Sequence, residues 1–380
     1  HHGPKPIFAA NLGGHVFHLV QPQTRIRMTP LDHKIRDQIK TAGPLRLDAF
    51  MEIALGDPEF GYYMQRDPFG RPTSEGGDFI TAPEVSQIFG ELLAIWCVDL
   101  WQKAGQLDKM FHIELGPGRG TLAADMRRVF AKFALSQTLP CHLVDMSPKL
   151  RAIQKQATPE AKLHASLDSV PQDAPAIIIA NEFFDALPVR QFRRMQDSWC
   201  ERFIALEGEE LVYSDRPCDA PPGDHAHIET GEIYEFSPAA HAILESITTR
   251  LCQTGGALLA IDYGYSTTGQ GDSLQAMQAH HFTSPLSNIG ESDLTTHVNF
   301  HALAATAKAA GGVVHRIVQQ GAFLTKLGVI ERATALAAAN PHMVGDIQTS
   351  CDRLIGPDQM GRLFKVFCVT SQGFPTPEGF

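Results

Sequence analysis

No apolar run in the 380-residue chain approaches the ~20 residues that a membrane-spanning helix requires. There is no internal repeat, no low-complexity tract and no C-x-x-C pair. The seven cysteines are odd in number and scattered, which favours a reducing compartment and thiols used as small core residues. An excess of positive charge is also missing. Lys and Arg number 32 against 42 Asp and Glu, a net charge of −10 that excludes a nucleic-acid phosphate surface as partner and suits a basic peptide or a neutral small molecule. The first thirty residues contain no Asp or Glu but carry Lys5, Arg25 and Arg27. A mitochondrial transit peptide has that composition, yet Pro4, Pro6, Gly13, Gly14 and Pro22 interrupt any amphipathic helix. Residues 1–30 are therefore expected to be a poorly ordered leader. The bacterial cytoplasm is the expected compartment, with the mitochondrial matrix as the alternative. A 43% hydrophobic fraction over this length leaves enough apolar residues for one large core or two smaller ones.

The stretch F-H-I-E-L-G-P-G-R-G-T-L at 111–122 reads as a short buried strand, a glycine-rich turn and the start of a helix. Gly116, Gly118 and Gly120 remove three Cβ atoms where the chain turns and where a ligand can lie against backbone. Leu122, Met126, Val129 and Phe133 have the spacing of a helix face packed on a sheet. A dinucleotide fingerprint, G-x-G-x-x-G counted from Gly118, wants glycine at position 121, where Thr121 stands. That disfavours a nicotinamide oxidoreductase. The pattern instead resembles the first motif of the Rossmann-like S-adenosylmethionine (SAM) methyltransferases, with Glu114 at the strand end placed to hold the ligand's ammonium.

Further strands follow in parallel α/β order. C-H-L-V-D at 141–145 ends in Asp145, about 25 residues past the glycines, where an acid would accept hydrogen bonds from two ribose hydroxyls. Lys162 to Ala165 is a third strand, with Ser166 and Leu167 after it placed to line an adenine pocket. The β-branched run at 176–180 is a central buried strand and ends in N-E-F-F-D-A-L-P at 181–188. Two carboxylates and two aromatics at such a strand end suit a site better than a core. Strands at 191–195, 199–206 and 210–214 read as antiparallel, with a turn at 207–209. The His225–His227 loop lacks further ligands at metal spacing and is read as solvated; no metal is expected. Residues 257–263 form another buried strand, 265–290 a long loop over the site, 313–318 a strand, 323–355 two helices and 363–369 the last strand. Upstream, one helix is expected from Pro83 to about Gly105. Thr81 and Glu84 have capping-box spacing, and a helix cap is preferred to a catalytic role for them. Asp78, after two glycines, is more open to a ligand role.

Taken together, G-G-D-F-I-T-A-P-E at 76–84, E-L-G-P-G-R-G-T-L at 114–122 and N-E-F-F-D-A-L-P at 181–188 resemble the MidA-like SAM-dependent methyltransferases. I-D-Y-G at 261–264, D-L-T-T-H-V at 293–298 and Q-G-A-F-L-T-K-L-G at 320–328 support the likeness, which covers roughly residues 30–371. That family includes a mitochondrial complex I assembly factor that methylates arginine. The resemblance implies an α/β, class I SAM-methyltransferase fold: a Rossmann-like seven-stranded sheet with an N-terminal helical region and inserted substrate-side segments. The expected divisions are a helical cap region at 31–110, the SAM-binding domain at 111–371 with insertions at about 191–235 and 265–298, and a tail at 372–380. It implies SAM as cofactor and a protein substrate, the 49 kDa core subunit of complex I in the mitochondrial member. Asn299 departs from the family's H-V-D-F pattern.

An arginine guanidinium stays protonated at any working pH and is a poor nucleophile until its lone pair is localised. Glu182, with Asp185 second, is the candidate for a carboxylate gripping the remaining N–H groups. His297 or a carboxylate would take the released proton, although a loop-bracing histidine fits the sequence equally well. Phe183 and Phe184 either wall a methyl channel or simply pack. Asp78, Glu114, Gly116, Gly118, Gly120, and also Asp145, Ser166, Leu167 and Asn181, are the candidate cofactor residues. A SAM-binding assembly module without transfer activity and a small-molecule methyltransferase are the competing readings. The oligomeric state stays open.

Overall fold

The computed structural model describes residues 28–65, 81–267 and 271–380. Seven strands form the spine of a mixed sheet: β1 (Phe111–Leu115), β2 (Cys141–Val144), β3 (Lys162–His164), β4 (Ala176–Asn181), β5 (Gly256–Tyr265), β6 (Val313–Val314) and β7 (Phe364–Thr370). Their order is β3-β2-β1-β4-β5-β7-β6, with β7 antiparallel to both neighbours and the other pairs parallel. Two-residue strands at Val298–Asn299 and Val318–Gln319 join β5 and β7, making nine strands where seven were expected. Alternation along β4 decides the layers. Ile177 and Ile179 face a core shared with the helices Gln87–Lys103, Thr121–Lys132 and Val344–Ile355. Ala176, Ile178 and Ala180 face the helices Pro238–Thr254 and Phe300–Ala309. Each fully buried Ile of β4 contributes about 1.5–3 kcal/mol relative to an exposed one.

Outside this sandwich, Trp199–Glu207 pairs with Arg190–Arg194, Glu210–Cys218 and Leu45–Arg46, and Ile233–Phe236 completes an antiparallel sheet. The N-terminal helices Pro30–Ala42 and Leu47–Gly56 pack on it. Leu31, Ile35 and Phe50 share a third core with Ile204, Ala276 and Leu294. Thr29 and Asp32 close a capping box at the start of the first of these helices, and Pro30 fills its first turn.

Four expectations require correction. Residues 265–290, expected as a loop, contribute Gln275–Gln278 and His281–Thr283 to a three-stranded antiparallel sheet with Asp293–Thr295. The tight turn between the first two takes Ala279 and His280 at φ 49° and 62°, positions usually filled by Asn or Gly, so the hairpin carried no turn signal. The helix expected from Pro83 breaks into Ala82–Val85 and Gln87–Lys103, because Ser86 adopts extended backbone and caps the second piece through Ile88 N. The Thr81–Glu84 capping box does not form; Thr81 stands at the cap position but its side chain accepts no capping bond. The two helices expected in 323–355 are three, Gln320–Lys326, Val329–Ala339 and Val344–Ile355, separated by left-handed Gly328 and by Asn340-Pro341.

Candidate active site

The carboxyl ends of β1, β2, β4 and β5 open into a cavity of about 970 Å³. This is near the top of the ~300–1,000 Å³ range of small-molecule sites. Gly116, Gly118 and Gly120 all have positive φ (59°, 54° and 83°), a backbone path that side chains resist. A Cβ on Gly116 would lie 2.9 Å from Phe183 Cδ2, so the turn and the aromatic fit only without one. Thr121, where a dinucleotide fold would need glycine, donates its hydroxyl to Glu84 Oε1 at 2.5 Å. The acid expected to close a capping box thus holds the short helix Ala82–Val85 onto the head of the helix Thr121–Lys132 instead.

Glu114 is 3% exposed, and its Oε2 reaches no hydrogen-bond partner while the residue lines the cavity. Burial pushes its carboxyl up to about 8 against the pull of the Ala123 backbone N–H. An orphaned acceptor of this kind fits an incoming ammonium. Asp145 accepts from Ser147 N and from Gln154 Nε2, each at 2.8 Å, and the same amide nitrogen reaches Gly118 O at 2.8 Å. The glycine turn and the end of β2 are therefore tied together, and burial raises Asp145 to about 6. Ser166 and Leu167 line the same end of the cavity. Asn181 lines it too, with Oδ1 buried and without a partner. Asp78 lies outside the described residues.

At the other end stands the turn after β4. Glu182 has φ 50°, unusual for a glutamate, and is held there by its N–H donating to Ile261 O at 2.8 Å. The next three N–H groups, of Phe183, Phe184 and Asp185, all donate to Asp262 Oδ2 at 3.1, 2.9 and 3.2 Å. The Glu182 carboxylate accepts from Ala82 N at 2.9 Å and from Asn181 Nδ2 at 3.3 Å. Burial raises it to about 7, partly offset by those donors and by Arg353 across the cavity. Asp185 is held well above the ordinary carboxylate range by burial and by Asp262, Asp293 and Glu182 around it. Asp293, 5% exposed and also lining the cavity, accepts from the Tyr63 hydroxyl at 2.8 Å. Thr296 N donates to Asp185 O at 2.9 Å, which pins the inserted strand to the turn.

The structure thus gathers Glu182 and Asp185 with Glu114, the glycines, Asp145, Ser166, Leu167 and Asn181 around one cavity. It does not bring His297 there. That residue is exposed, donates its N–H to Ser273 Oγ at 2.8 Å, and meets the ring of Tyr263 edge-on at 5.3 Å. The two aromatics also part company: Phe183 lines the cavity, whereas Phe184 is buried in the sheet core. Asn299 caps the helix Phe300–Ala309 through Ala302 N at 3.0 Å, a task an aspartate would do in the same way. Tyr63 and Arg353 had no local signal in the sequence, and Asp293 stood in the quoted D-L-T-T-H-V run without a role assigned to it. Asp262 had a local signal, an acid at the end of a buried strand. Among the described residues nine carboxylates and two guanidiniums line the cavity, which makes the site suited to a cationic guest.

The model of a family of S-adenosyl-L-methionine-dependent methyltransferases matches residues 92–318. The mitochondrial protein arginine methyltransferase NDUFAF7 of Danio rerio is 33% identical over 369 residues, covering 88% of this chain and 85% of that protein. The human protein of the same name is 32% identical over 375 residues, covering 90% and 83%. A Burkholderia thailandensis methyltransferase-superfamily protein crystallised with S-adenosyl-homocysteine superposes with a TM-score of 0.79 at 27% identity, covering 92% of this chain and 93% of that one.

Proposed function

The chain belongs to the family of S-adenosyl-L-methionine-dependent methyltransferases, and from that premise we propose that it methylates arginine side chains of a protein. The observation that carries this reading is the acceptor end of the cavity, where Glu182, Asp185 and Asp293 converge around a turn fixed by Asp262. The names of the NDUFAF7 relatives support it. The strand order β3-β2-β1-β4-β5-β7-β6 supports a Rossmann-like class I sheet. The N-terminal helices and the insertions at about 191–235 and 265–298 are the substrate side, built on the SAM-binding domain.

The residues at the glycine end fit the cofactor. The unpartnered Glu114 Oε2 suits its ammonium, the Gly116–Gly120 turn its amino-acid portion, Asp145 the ribose, and Ser166 and Leu167 the adenine. When bound, SAM supplies a methyl group on a sulfonium, an electrophile open to in-line attack. The task of the chain is then alignment and charge management. Glu182 grips two N–H groups of the guanidinium and draws its positive charge away from the attacking nitrogen. Asp185 and Asp293 complete the acidic wall, and one of them accepts the proton that the attacking nitrogen loses. His297, outside the cavity, has no part in that step.

Incubation of the full chain with radiolabelled SAM and candidate acceptor proteins tests the reading, with mass spectrometry to locate the label. Label on arginine is expected. Label on another residue, or SAM binding without transfer, overturns it. We further propose that the acceptor belongs to respiratory complex I, with the 49 kDa core subunit first among candidates, and capture of partners from SAM-depleted extract examines this. The mitochondrial relatives support the matrix as the compartment, ahead of the bacterial cytoplasm first expected.

A further inference from the structure

We propose that His142, His164 and Ser169 are positioning residues, a hydrogen-bonded string that runs from the interior of β2 to the turn at 165–168 and fixes that turn against the cofactor. The inference rests on placing the adenosine at this end of the cavity, and it names residues that the transfer chemistry does not use.

The parallel register pairs His142 with Lys162 and Val144 with His164, so the two histidines are diagonal neighbours on one face of the sheet. Their rings stack at 5.1 Å and 23°. His142 Nδ1 lies 3.0 Å from His164 Nε2, and His164 Nδ1 lies 2.9 Å from Ser169 Oγ. Ser169 Oγ in turn donates to Ser166 O at 2.8 Å. Ala165, Ser166, Leu167 and Asp168 line the cavity.

One protonation pattern satisfies the whole string. With the Ser169 proton given to a carbonyl, Ser169 Oγ can only accept, so His164 carries its hydrogen on Nδ1. His164 Nε2 is then a lone pair, and His142 must donate from Nδ1. That leaves His142 Nε2 a bare acceptor, buried and without a partner. A second proton has nowhere to go. On His142 Nε2 it would make a buried donor with no acceptor. On His164 Nε2 it would set one N–H against another and break the string.

The surroundings oppose a positive charge as well. Lys162 of β3, Arg250 of the helix Pro238–Thr254 and Lys109 ahead of β1 face the pair, while His112 of β1 points to the opposite face of the sheet. Asp173 is paired with Lys109 at 2.7 Å. Burial and these cations hold His142 at about 4 and push His164 down too. The ordered turn therefore requires neutral imidazoles. With His142 titrating only at about 4 in the folded protein, the string keeps this protonation pattern through the neutral range and is lost as pH falls through about 4.

Calorimetric titration of the full chain with S-adenosyl-homocysteine at about pH 8, where both imidazoles are neutral, tests this. Ser169→Ala, a change at an exposed position, should weaken binding about two- to tenfold, the worth of one hydrogen bond. His142→Asn keeps an N–H directed at His164 and should bind more tightly than His142→Phe, which has none. Equal binding for Ser169→Ala and the parent would overturn the inference, as would His142→Asn and His142→Phe behaving alike. Should the phenylalanine variant fail to fold, Ser169→Ala decides. Asp145→Ala run in parallel separates the premise from the inference. If it loses affinity while Ser169→Ala does not, the string alone fails; if neither loses affinity, the adenosine placement fails with it.

Discussion

Gly116→Ala tests the cofactor turn with the smallest possible change, one methyl group. Gly116 sits at φ 59°, where an L-residue costs about 1–2 kcal/mol. The lower entropy of the unfolded alanine chain returns about 0.4–1 kcal/mol. The added Cβ would also stand 2.9 Å from Phe183 Cδ2, too close to be tolerated without movement. The neighbour is a ring edge and not backbone, so Phe183 can swing, at about 0.5–1.5 kcal/mol for leaving its rotamer well. The net cost to stability is about 1–2 kcal/mol, a modest drop in melting temperature. Binding should suffer more, because the displaced ring moves within the cavity that the cofactor needs. Titration with S-adenosyl-homocysteine and a thermal melt of the same sample measure both. Phe183→Ala in the same background should restore part of the affinity while leaving the backbone penalty, and this non-additivity is the signature of the clash. A Gly116→Ala protein that binds the ligand as tightly as the parent would refute the placement of the cofactor against this turn.

Glu182→Gln should retain S-adenosyl-homocysteine affinity while methylation of an arginine acceptor falls by about two orders of magnitude or more, in single-turnover assays. Because burial holds Glu182 at about 7, its grip on a guanidinium is lost below that value, so kcat/KM should rise with pH through about 7 and the Gln variant should lack this limb. Stability runs the other way: a carboxyl raised above its unfolded value of 4.5 favours folding at low pH, and that share is lost as pH rises towards 7. Glu114, raised to about 8, is largely protonated in the free protein at neutral pH, so accepting an ammonium should expel its proton. Calorimetry in buffers of different ionisation enthalpy would read that release, and Glu114→Gln should abolish it; no release in the parent would sink the assignment. Tyr63→Phe removes the hydroxyl that holds Asp293 and should raise the acceptor KM about two- to tenfold with the cofactor affinity unmoved.

The sheet was legible because the central strands are short, mainly apolar segments that run into glycine or an acid, with β4 and the first part of β5 continuous apolar runs. Ser147 and Ser237, each followed by proline, cap their helices through Leu150 N and Ala240 N, the local role that a Ser-Pro pair predicts. The hairpin at 275–283 was not legible. Its strands are four and three residues long, and its turn uses Ala279 and His280 in left-handed conformations held by the surrounding sheet. The Thr81–Glu84 pair shows the opposite failure, a correct local pattern overridden from outside. Glu182 takes the N–H of Ala82 and Thr121 takes Glu84, so tertiary partners at sequence distances of 100 and 37 win over the local box.

The two ends of the cavity differ in how far apart in the chain their residues lie, and this explains which one the sequence revealed. The glycine end draws on 114–120, 145 and 165–168, all within one run of consecutive strands and helices, where the position of each residue follows from its place at a strand end. The acceptor end is assembled from Tyr63, Ala82, Glu182, Asp185, Asp262, Asp293 and Thr296, held by bonds such as Tyr63 to Asp293 across 230 residues and Phe183 N to Asp262 across 79. No local pattern encodes such pairings, so the sequence pointed to Glu182 and Asp185 at this end but gave Asp293 no role. The same separation has a functional consequence. A cofactor grip contained in the sheet ends can stay constant while the inserted strands and N-terminal helices are altered, so acceptor choice in this architecture should respond to changes in those outer elements that leave S-adenosyl-homocysteine binding untouched.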